Sequence, residues 1–346
     1  CNCRPTETTL SESLLEPESH MNTGEDEDVN GSAGAGHNID PLLQVISLLK
    51  PVGVTMALTV YLVHVLRESN VSGAFSGFMV YEENASDSVG TKLTGVAENG
   101  AVIVLVMFVV TTLLLVLYRY KWYRLIYGWL GLSVVALFLQ LGSFVCQSLV
   151  TVYELPFDEI SFYLILYNAT IAGVLLIFWP ELGFGSPPKT LRQGYLVVIS
   201  ALLAWSAAKL PEWSTWSLLA AVSIWDIIAV LCPHGPLKKL VELAETRNDP
   251  IPGLVYEGAD IRLGLGDFIF YSILVGRASM SSAVTLTSAV LAVLVGLCAT
   301  LALLPYMQRV LPALPISISA AMLIYFFTDL ILKRLVQEAT EKSLFL

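Results

Sequence analysis

The sequence predicts an all-α polytopic membrane protein, a bundle of about nine transmembrane helices behind a disordered amino-terminal tail. Composition is the first indication, because 55% of the 346 residues are hydrophobic and only 14% are charged. Soluble domains carry about 25% charged residues. The second indication is the series of long apolar runs, and the third is the clustering of acidic residues outside them. We therefore expect one helical bundle rather than several soluble domains.

The amino-terminal segment 1–40 is predicted to be a disordered, cytosolic tail. It is acidic and rich in Ser, Thr, Gly and Asn, so it cannot bury enough apolar surface to fold. Much of the formal net charge of −10 lies here and in the segment 68–98, and it gives no indication of a nucleic-acid partner. The amino end has no recognisable cleavable signal peptide, so the first apolar span is expected to direct insertion.

Nine apolar runs give the predicted spans, six within 41–232 and three within 263–346. They are Leu48–Val65, Ala101–Leu117, Leu125–Cys146, Ile160–Trp179, Tyr195–Ala208, Trp216–Cys232, Leu263–Gly276, Ala283–Pro305 and Ile316–Leu332. Several are shorter than the ~20 residues of an ideal span, so tilt or extension is expected. Lys50 and Pro51 are predicted to break the first helix near its start.

The basic residues of the short loops predict the orientation. They cluster between spans two and three, four and five, and six and seven, which places these loops and the amino terminus in the cytosol. The loop after the first span is acidic and carries glycosylation sequons at Asn70 and Asn84, which suits the lumen. Lys333 and Arg334 would lie outside the cytosol with nine spans, so a count of eight stays open.

The segment 233–262 is predicted to be a short cytosolic loop containing an amphipathic helix. Leu237, Leu240, Val241 and Ala244 share one helical face, and Lys238, Lys239, Glu242 and Glu245 lie mainly on the other. This pattern favours a helix on the cytosolic membrane surface. A helix end that projects into water fits nearly as well.

Two aspartates within apolar runs are the strongest candidates for function. Asp226 lies in Ser217–Cys232, and Asp267 lies in Leu263–Gly276. A charged residue near the middle of a bilayer costs about 2.5–3.5 kcal/mol on insertion, so an intramembrane acid indicates a functional site. Two acids on consecutive spans can share a proton and act as an acid/base pair. This is the chemistry of an aspartyl protease inside a membrane.

Residues around the acids fit the same chemistry. Gly264 and Gly266 carry no side chain, so they allow a second backbone to approach and they loosen the helix beside Asp267. A helical substrate must unwind before its scissile carbonyl can be attacked, and an exposed strand edge is one way to hold it. Pro312 opens the last span and leaves a carbonyl unpaired, while Ala313 keeps the approach open. Alone, each of these residues fits ordinary helix packing.

Other ionisable residues are interpreted as structural. Asp329 lies near the end of the last span, four residues before Lys333, with which it is expected to pair. No His-Glu-x-x-His motif is present for a zinc protease. None of the four histidines lies deep in a span, where it could activate a serine.

With these residues in view, the chain resembles the presenilins, the GxGD intramembrane aspartyl proteases that form the catalytic subunit of γ-secretase. The resemblance runs from the first span to the carboxyl end. It rests on Trp225–Pro233 with Gly235–Leu237, on Gly264–Ser272, and on Pro312–Ile318, in that order along the chain.

The resemblance implies an intramembrane aspartic endopeptidase that cleaves single-pass membrane protein stubs, such as Notch-like and amyloid-precursor-like substrates. Asp226 and Asp267 match the catalytic pair, and no metal or organic cofactor is expected. The residues expected to bind substrate are Trp225, Arg262, Leu263, Gly264, Leu265, Gly266, Pro312, Ala313 and Leu314.

The resemblance also implies partners and a location. The partners are a nicastrin-like glycoprotein and two small multi-span membrane subunits. The location is the endoplasmic reticulum and Golgi, with the plasma membrane and endosomes, and with a cytosolic amino terminus. Two features depart from the family: Trp225 replaces the usual tyrosine, and the loop 233–262 lacks the long insert that is cut during maturation.

Three alternatives remain open at this point. A signal-peptide-peptidase-like enzyme shares the acid motifs but inserts in the opposite orientation. Glycans on Asn70 or Asn84 would support the orientation predicted above, and a cytosolic location of that loop would favour this alternative. A cation leak of the endoplasmic reticulum membrane would retain ion flux after both acids are replaced by alanine. A scaffold with inactive acids would show neither activity.

Overall fold

The computed structural model describes residues 41–67, 80–81, 89–156, 158–178, 188–232, 235–247, 255–257, 262–307, 313–332, 334–335 and 338. The predicted tail 1–40 and the sequons at Asn70 and Asn84 lie outside these residues. So does Lys333, the residue expected to pair with Asp329. These predictions are therefore untested.

The described residues are almost entirely helical, which confirms the predicted all-α class. The helices are α1 Pro41–Val65, α2 Val89–Arg119, α3 Tyr123–Leu137, α4 Ser143–Val152, α5 Glu159–Ile177, α6 Lys189–Ala208, α7 Glu212–Leu231, α8 Pro236–Arg247, α9 Leu265–Ser281, α10 Ala283–Met307 and α11 Ala313–Phe327. A π-helical turn at Phe138–Gly142 joins α3 to α4, and another at Thr328–Leu332 extends α11. Two short strands, β1 Val255–Glu257 and β2 Arg262–Gly264, pair antiparallel.

Six stretches of the described chain are long and apolar enough to cross a membrane. They are Leu48–Val65, Gly90–Arg119, Tyr123–Val152, Glu159–Ile177, Lys189–Ala208 and Ala283–Ala302. The other three predicted spans correspond to α7, α9 and α11, which are not among these six long apolar stretches. α9, for example, has only 17 residues. The chain is thus a multi-pass membrane protein, and the number of nine spans stays a prediction.

Pro51 does not break the first helix, so that prediction was wrong. α1 begins ten residues earlier, at Pro41, and continues through Pro51. Pro51 is buried, as are the neighbouring Leu48 and Val52. Proline inside a helix removes one backbone hydrogen bond, and the Thr55 hydroxyl donates to the Pro51 carbonyl at 2.8 Å. Burial of this side of α1 against the other helices offsets the cost of the proline.

α9 is the central helix of the bundle, because it contacts α1, α6, α7, α10 and α11. Phe268, Tyr271 and Leu274 of α9 are fully buried in the central core. Gly276 permits the closest approach, since a Cβ on it would lie 3.1 Å from Thr59 of α1 and 3.3 Å from Ala208 of α6. The helix that carries Asp267 is therefore fixed by neighbours on every side.

The predicted amphipathic helix is present as α8, and two residues of its apolar face pack against protein, while its position on a membrane surface stays a prediction. Leu240 and Ala244 are buried against Tyr118 of α2 and Ile126 of α3. The Arg247 guanidinium donates to the carbonyls of Tyr118 and Arg119 at 2.9 and 3.1 Å. Leu240 and Ala244 are thus covered by protein, and the exposed side carries Lys238, Lys239 and Glu242.

Candidate functional site at the α7–α9 contact

Asp226 and Asp267 are brought together by the contact between α7 and α9. Asp226 lies in the last two turns of α7, and Asp267 lies in the first turn of α9. Both side chains are half-buried, and the two carboxyl groups are close enough to interact electrostatically. The tertiary structure therefore places the two predicted acids in one site.

The start of α9 differs from the sequence prediction, which began a helix at Leu263. Arg262–Gly264 forms β2, and the helix begins at Leu265. Gly264 has an extended backbone, with φ −66° and ψ 144°. Asp267 is thus only three residues from the end of a strand, so strand and acid occupy the same end of α9.

The strand β2 is paired with β1 along one of its edges. The register places Val255 opposite Gly264, Tyr256 opposite Leu263 and Glu257 opposite Arg262. Within the described residues the sheet has two strands, so each strand has a second edge without a partner strand. A Cβ built on Gly264 would meet no described heavy atom within 4 Å. Among the described residues, none fills the space beside Gly264.

Trp225, which precedes Asp226, packs against α2. Its side chain is 6% exposed, and its ring meets Phe108 edge-to-face with centroids 5.9 Å apart. The Ser217 hydroxyl of α7 also donates to the Val96 carbonyl of α2, at 2.7 Å. These contacts fix the face of α7 next to Asp226.

The beginning of α11 lies against α9, close to the acids. Pro312 is outside the described residues, and the helix begins at Ala313. Pro315 and Ser317 are buried, and the Ser317 hydroxyl lies beside the Tyr271 hydroxyl of α9. Ser317 of the third sequence motif thus lies near the start of α9, whereas the side chains of Ala313 and Leu314, like Pro312, are outside what the structure describes.

Tyr271 is a site residue that the sequence interpretation missed. It lies four residues after Asp267, and its hydroxyl is within electrostatic range of both aspartates. The i, i+4 spacing would have placed it on the same helical face as Asp267. The signal was hidden because Phe268–Tyr271 reads as an apolar core run.

Asp329 lies at the other end of α9. It accepts a hydrogen bond of 2.6 Å from Ser281, which is about 21 Å along the helix from Asp267. Nearby, Arg277 forms an ion pair of 3.3 Å with Glu212. This separation favours the structural interpretation of Asp329. Within the described residues no three His, Cys, Asp or Glu side chains form a group that could hold a metal ion.

Comparison with known families identifies the chain. The sequence profile of the presenilin family matches residues 42–261 and 257–336, which is most of the chain. The chain belongs to the presenilin family.

This presenilin is 38% identical to Presenilin-B of Dictyostelium discoideum over 312 residues, which cover 87% of this chain and 65% of the relative. A presenilin-like protein of Arabidopsis thaliana is 31% identical, over 84% of this chain and 93% of the relative. Presenilin sel-12 of Caenorhabditis elegans is 29% identical, over 94% of each chain. The chain therefore spans about two thirds of the length of Presenilin-B, and nearly all of the other two.

Proposed function

We propose that this presenilin is an intramembrane aspartic endopeptidase, the catalytic subunit of a γ-secretase complex that cleaves single-pass membrane protein stubs within the bilayer. The observation that carries the proposal is the meeting of Asp226 and Asp267 on two contacting helices. Two carboxyl groups are the complete acid/base requirement of an aspartyl protease.

The pair hydrolyses a peptide bond while one aspartate is ionised and the other is protonated. One carboxylate takes a proton from water while the water oxygen bonds to the scissile carbon. The other, protonated aspartic acid gives its proton to the carbonyl oxygen, which yields a tetrahedral diol. Asp226 and Asp267 titrate jointly, so the two roles belong to the pair rather than to fixed residues.

The strand beside the acids supports the substrate role of the segment from Arg262 to Gly266. An unwound substrate needs partners for its backbone N–H and C=O groups inside a membrane. The edges of the β1–β2 sheet that pair with no described strand offer them by strand addition. Because β2 ends three residues before Asp267, a substrate strand held there reaches the acids. In the same proposal, Pro312, Ala313 and Leu314 grip the substrate from α11.

Family membership supports the remaining parts of the proposal. The substrates are Notch-like and amyloid-precursor-like stubs, and the partners are a nicastrin-like glycoprotein with two small multi-span subunits. The complex acts in the endoplasmic reticulum, Golgi, plasma membrane and endosomes. The amino terminus lies in the cytosol.

The test uses the full chain with its partner subunits in cells that lack other presenilins. A membrane-stub reporter measures release of the cleaved fragment. Asp226→Asn and Asp267→Asn preserve size but remove the carboxyl group, so we expect at least about 100-fold less cleavage. Asp329→Asn is the matched control, because an amide still accepts the Ser281 hydrogen bond. Wild-type cleavage by Asp267→Asn would reject the proposal.

A further inference from the structure

Tyr271 lies on the acid-bearing face of α9, one turn after Asp267. Its side chain is 0% exposed, and its hydroxyl interacts electrostatically with both Asp226 and Asp267. The Ser317 hydroxyl of α11 lies beside the Tyr271 hydroxyl. Packing of the Tyr271 ring in the core therefore holds its phenolic hydroxyl near the acid pair.

The Ser317 hydroxyl is the nearest hydrogen-bonding group to the Tyr271 hydroxyl among the described residues, but the two do not form a hydrogen bond of good geometry. Leaving a buried donor unsatisfied lowers the stability of the fold. Thr59 of α1 and Ser223 of α7 avoid this cost by donating to the carbonyl four residues earlier, whereas the Ser272 hydroxyl of α9, next to Tyr271, has no such partner. A long tyrosine side chain cannot reach its own helix backbone in that way. What distinguishes Tyr271 from the other buried donors is that its hydroxyl lies beside two acids, where it can donate to a bound substrate.

We propose that Tyr271 is a catalytic residue whose hydroxyl donates a hydrogen bond to the tetrahedral oxygen that forms between Asp226 and Asp267. The inference rests on the proposed protease function and adds a third member to its site. Negative charge develops on the scissile carbonyl oxygen as water attacks, and a donor already in place stabilises it without reorganisation. Core burial of the ring supplies this preorganisation.

The proton balance of the reaction is unchanged by Tyr271. Water loses a proton to one aspartate, and the carbonyl oxygen gains a proton from the other. Tyr271 keeps its own proton throughout, because a phenol is a far weaker acid than a carboxyl group. Its contribution is a hydrogen bond that strengthens as the carbonyl becomes tetrahedral, which raises kcat and leaves KM nearly unchanged.

The experiment compares Tyr271→Phe with Tyr325→Phe in the assembled complex. Both tyrosines are buried in the same core, but the Tyr325 hydroxyl lies 3.5 Å from Glu212, at the other end of α7 from Asp226. Removal of one oxyanion donor typically lowers kcat by about 10²–10³-fold. We therefore expect a fall of at least tenfold in kcat for Tyr271→Phe, with unchanged KM, and wild-type kcat for Tyr325→Phe.

A second measurement does not depend on how much of the variant folds. It is the ratio of affinities for a hydroxyl-containing transition-state isostere and for the same inhibitor without the hydroxyl. Tyr271→Phe should lower this ratio by roughly the same factor as kcat, because the donor acts on that oxygen. The Tyr325→Phe ratio should equal that of the wild type.

Two outcomes would overturn the inference. In the first, Tyr271→Phe has the wild-type ratio of inhibitor affinities and also the wild-type kcat, when kcat is calculated from the amount of complex that binds inhibitor. The other is lower thermal stability with unchanged kcat, in both Tyr271→Phe and Ser317→Ala, which would make the hydroxyl a structural link between α9 and α11. Either result leaves the proposed function intact if Asp267→Asn is inactive. Retained cleavage by Asp267→Asn would instead reject the protease itself.

Discussion

Trp225 of α7 meets Phe108 of α2 edge-to-face, with ring centroids 5.9 Å apart and an interplanar angle of 86°. The contact lies immediately before Asp226, so the position of one acid depends on the packing of α7 against α2. Phe108 is 49% exposed and Trp225 only 6%. The pair is thus at the edge of the bundle, where α2 covers the acid-bearing helix.

The first prediction concerns the energy of this aromatic pair. Edge-to-face pairs contribute about 0.5–1.5 kcal/mol beyond burial. A double-mutant cycle with Phe108→Leu and Trp225→Leu should therefore give a coupling free energy of about 1 kcal/mol in thermal unfolding of the complex. Additive effects of the two substitutions would show that the rings do not interact.

The effect of the contact between Trp225 and Phe108 on activity can be tested with the substitution Trp225→Tyr. A tyrosine ring can keep the edge-to-face contact with Phe108, so reporter cleavage should stay close to that of the wild type. Trp225→Ala removes the ring and should lower cleavage, because α7 loses its contact with α2 beside Asp226. Equal activity of Trp225→Tyr and Trp225→Ala would contradict a positioning role for the ring.

The second prediction concerns the ion pair between Arg277 and Glu212. The Arg277 side chain is 16% exposed and that of Glu212 is 48% exposed, so solvent screens the carboxylate. Arg277→Met should destabilise the complex more than Glu212→Gln, because Arg277 also lies 3.5 Å from the Leu210 carbonyl. The measurement is the midpoint of thermal unfolding. Greater damage from Glu212→Gln would contradict this order.

The third prediction concerns the link between Lys209 and the end of α1. The Lys209 ammonium donates to the carbonyls of Leu66 and Arg67. Hydrogen bonds from a charged donor contribute about 1.5–3 kcal/mol. Lys209→Met should lower the unfolding midpoint, whereas Lys239→Met on the exposed side of α8 should not. An equal midpoint for the two variants would show that Lys209 does not hold α1.

The fourth prediction concerns Asn99, which binds the loop segment Val80–Tyr81. Its side-chain oxygen accepts from the Val80 and Tyr81 amides, both at 2.9 Å, and its amide nitrogen donates to the Tyr81 carbonyl at 3.0 Å. Asn99 is fully buried, so Asn99→Ala leaves these groups without their partner. Hydrogen exchange should become faster at the Val80 and Tyr81 amides. Exposed Thr94→Ala is the control, and unchanged exchange in Asn99→Ala would contradict the contact.

The fifth prediction tests the orientation in the membrane. A lumenal loop after the first span should carry glycans at Asn70 or Asn84. Gel mobility should then shift on glycosidase treatment, and the shift should disappear in a double Asn→Gln variant. An unglycosylated loop that reacts with cytosolic labels would reverse the predicted orientation and favour the signal-peptide-peptidase-like alternative.

Most of the site was predictable from the sequence because its signals are local. A carboxylate within an apolar run carries a desolvation cost that depends only on its neighbours in the chain, so Asp226 and Asp267 were evident. The helical spacing of Leu240 and Ala244 likewise predicted α8. The surface that covers α8 was not predictable, because Tyr118 lies more than a hundred residues earlier in the sequence.

Local sequence signals were sufficient to define the class of this protein: an all-α membrane protein of the presenilin family with two aspartates in apolar runs. Contacts between distant segments were needed to show that α1 continues through Pro51, that β2 pairs with β1, and that Tyr271 lies near the acid pair. The difference comes from the range of the interactions. Hydrophobic length and the cost of a buried charge act on neighbouring residues, whereas packing and strand pairing join segments that are distant along the chain.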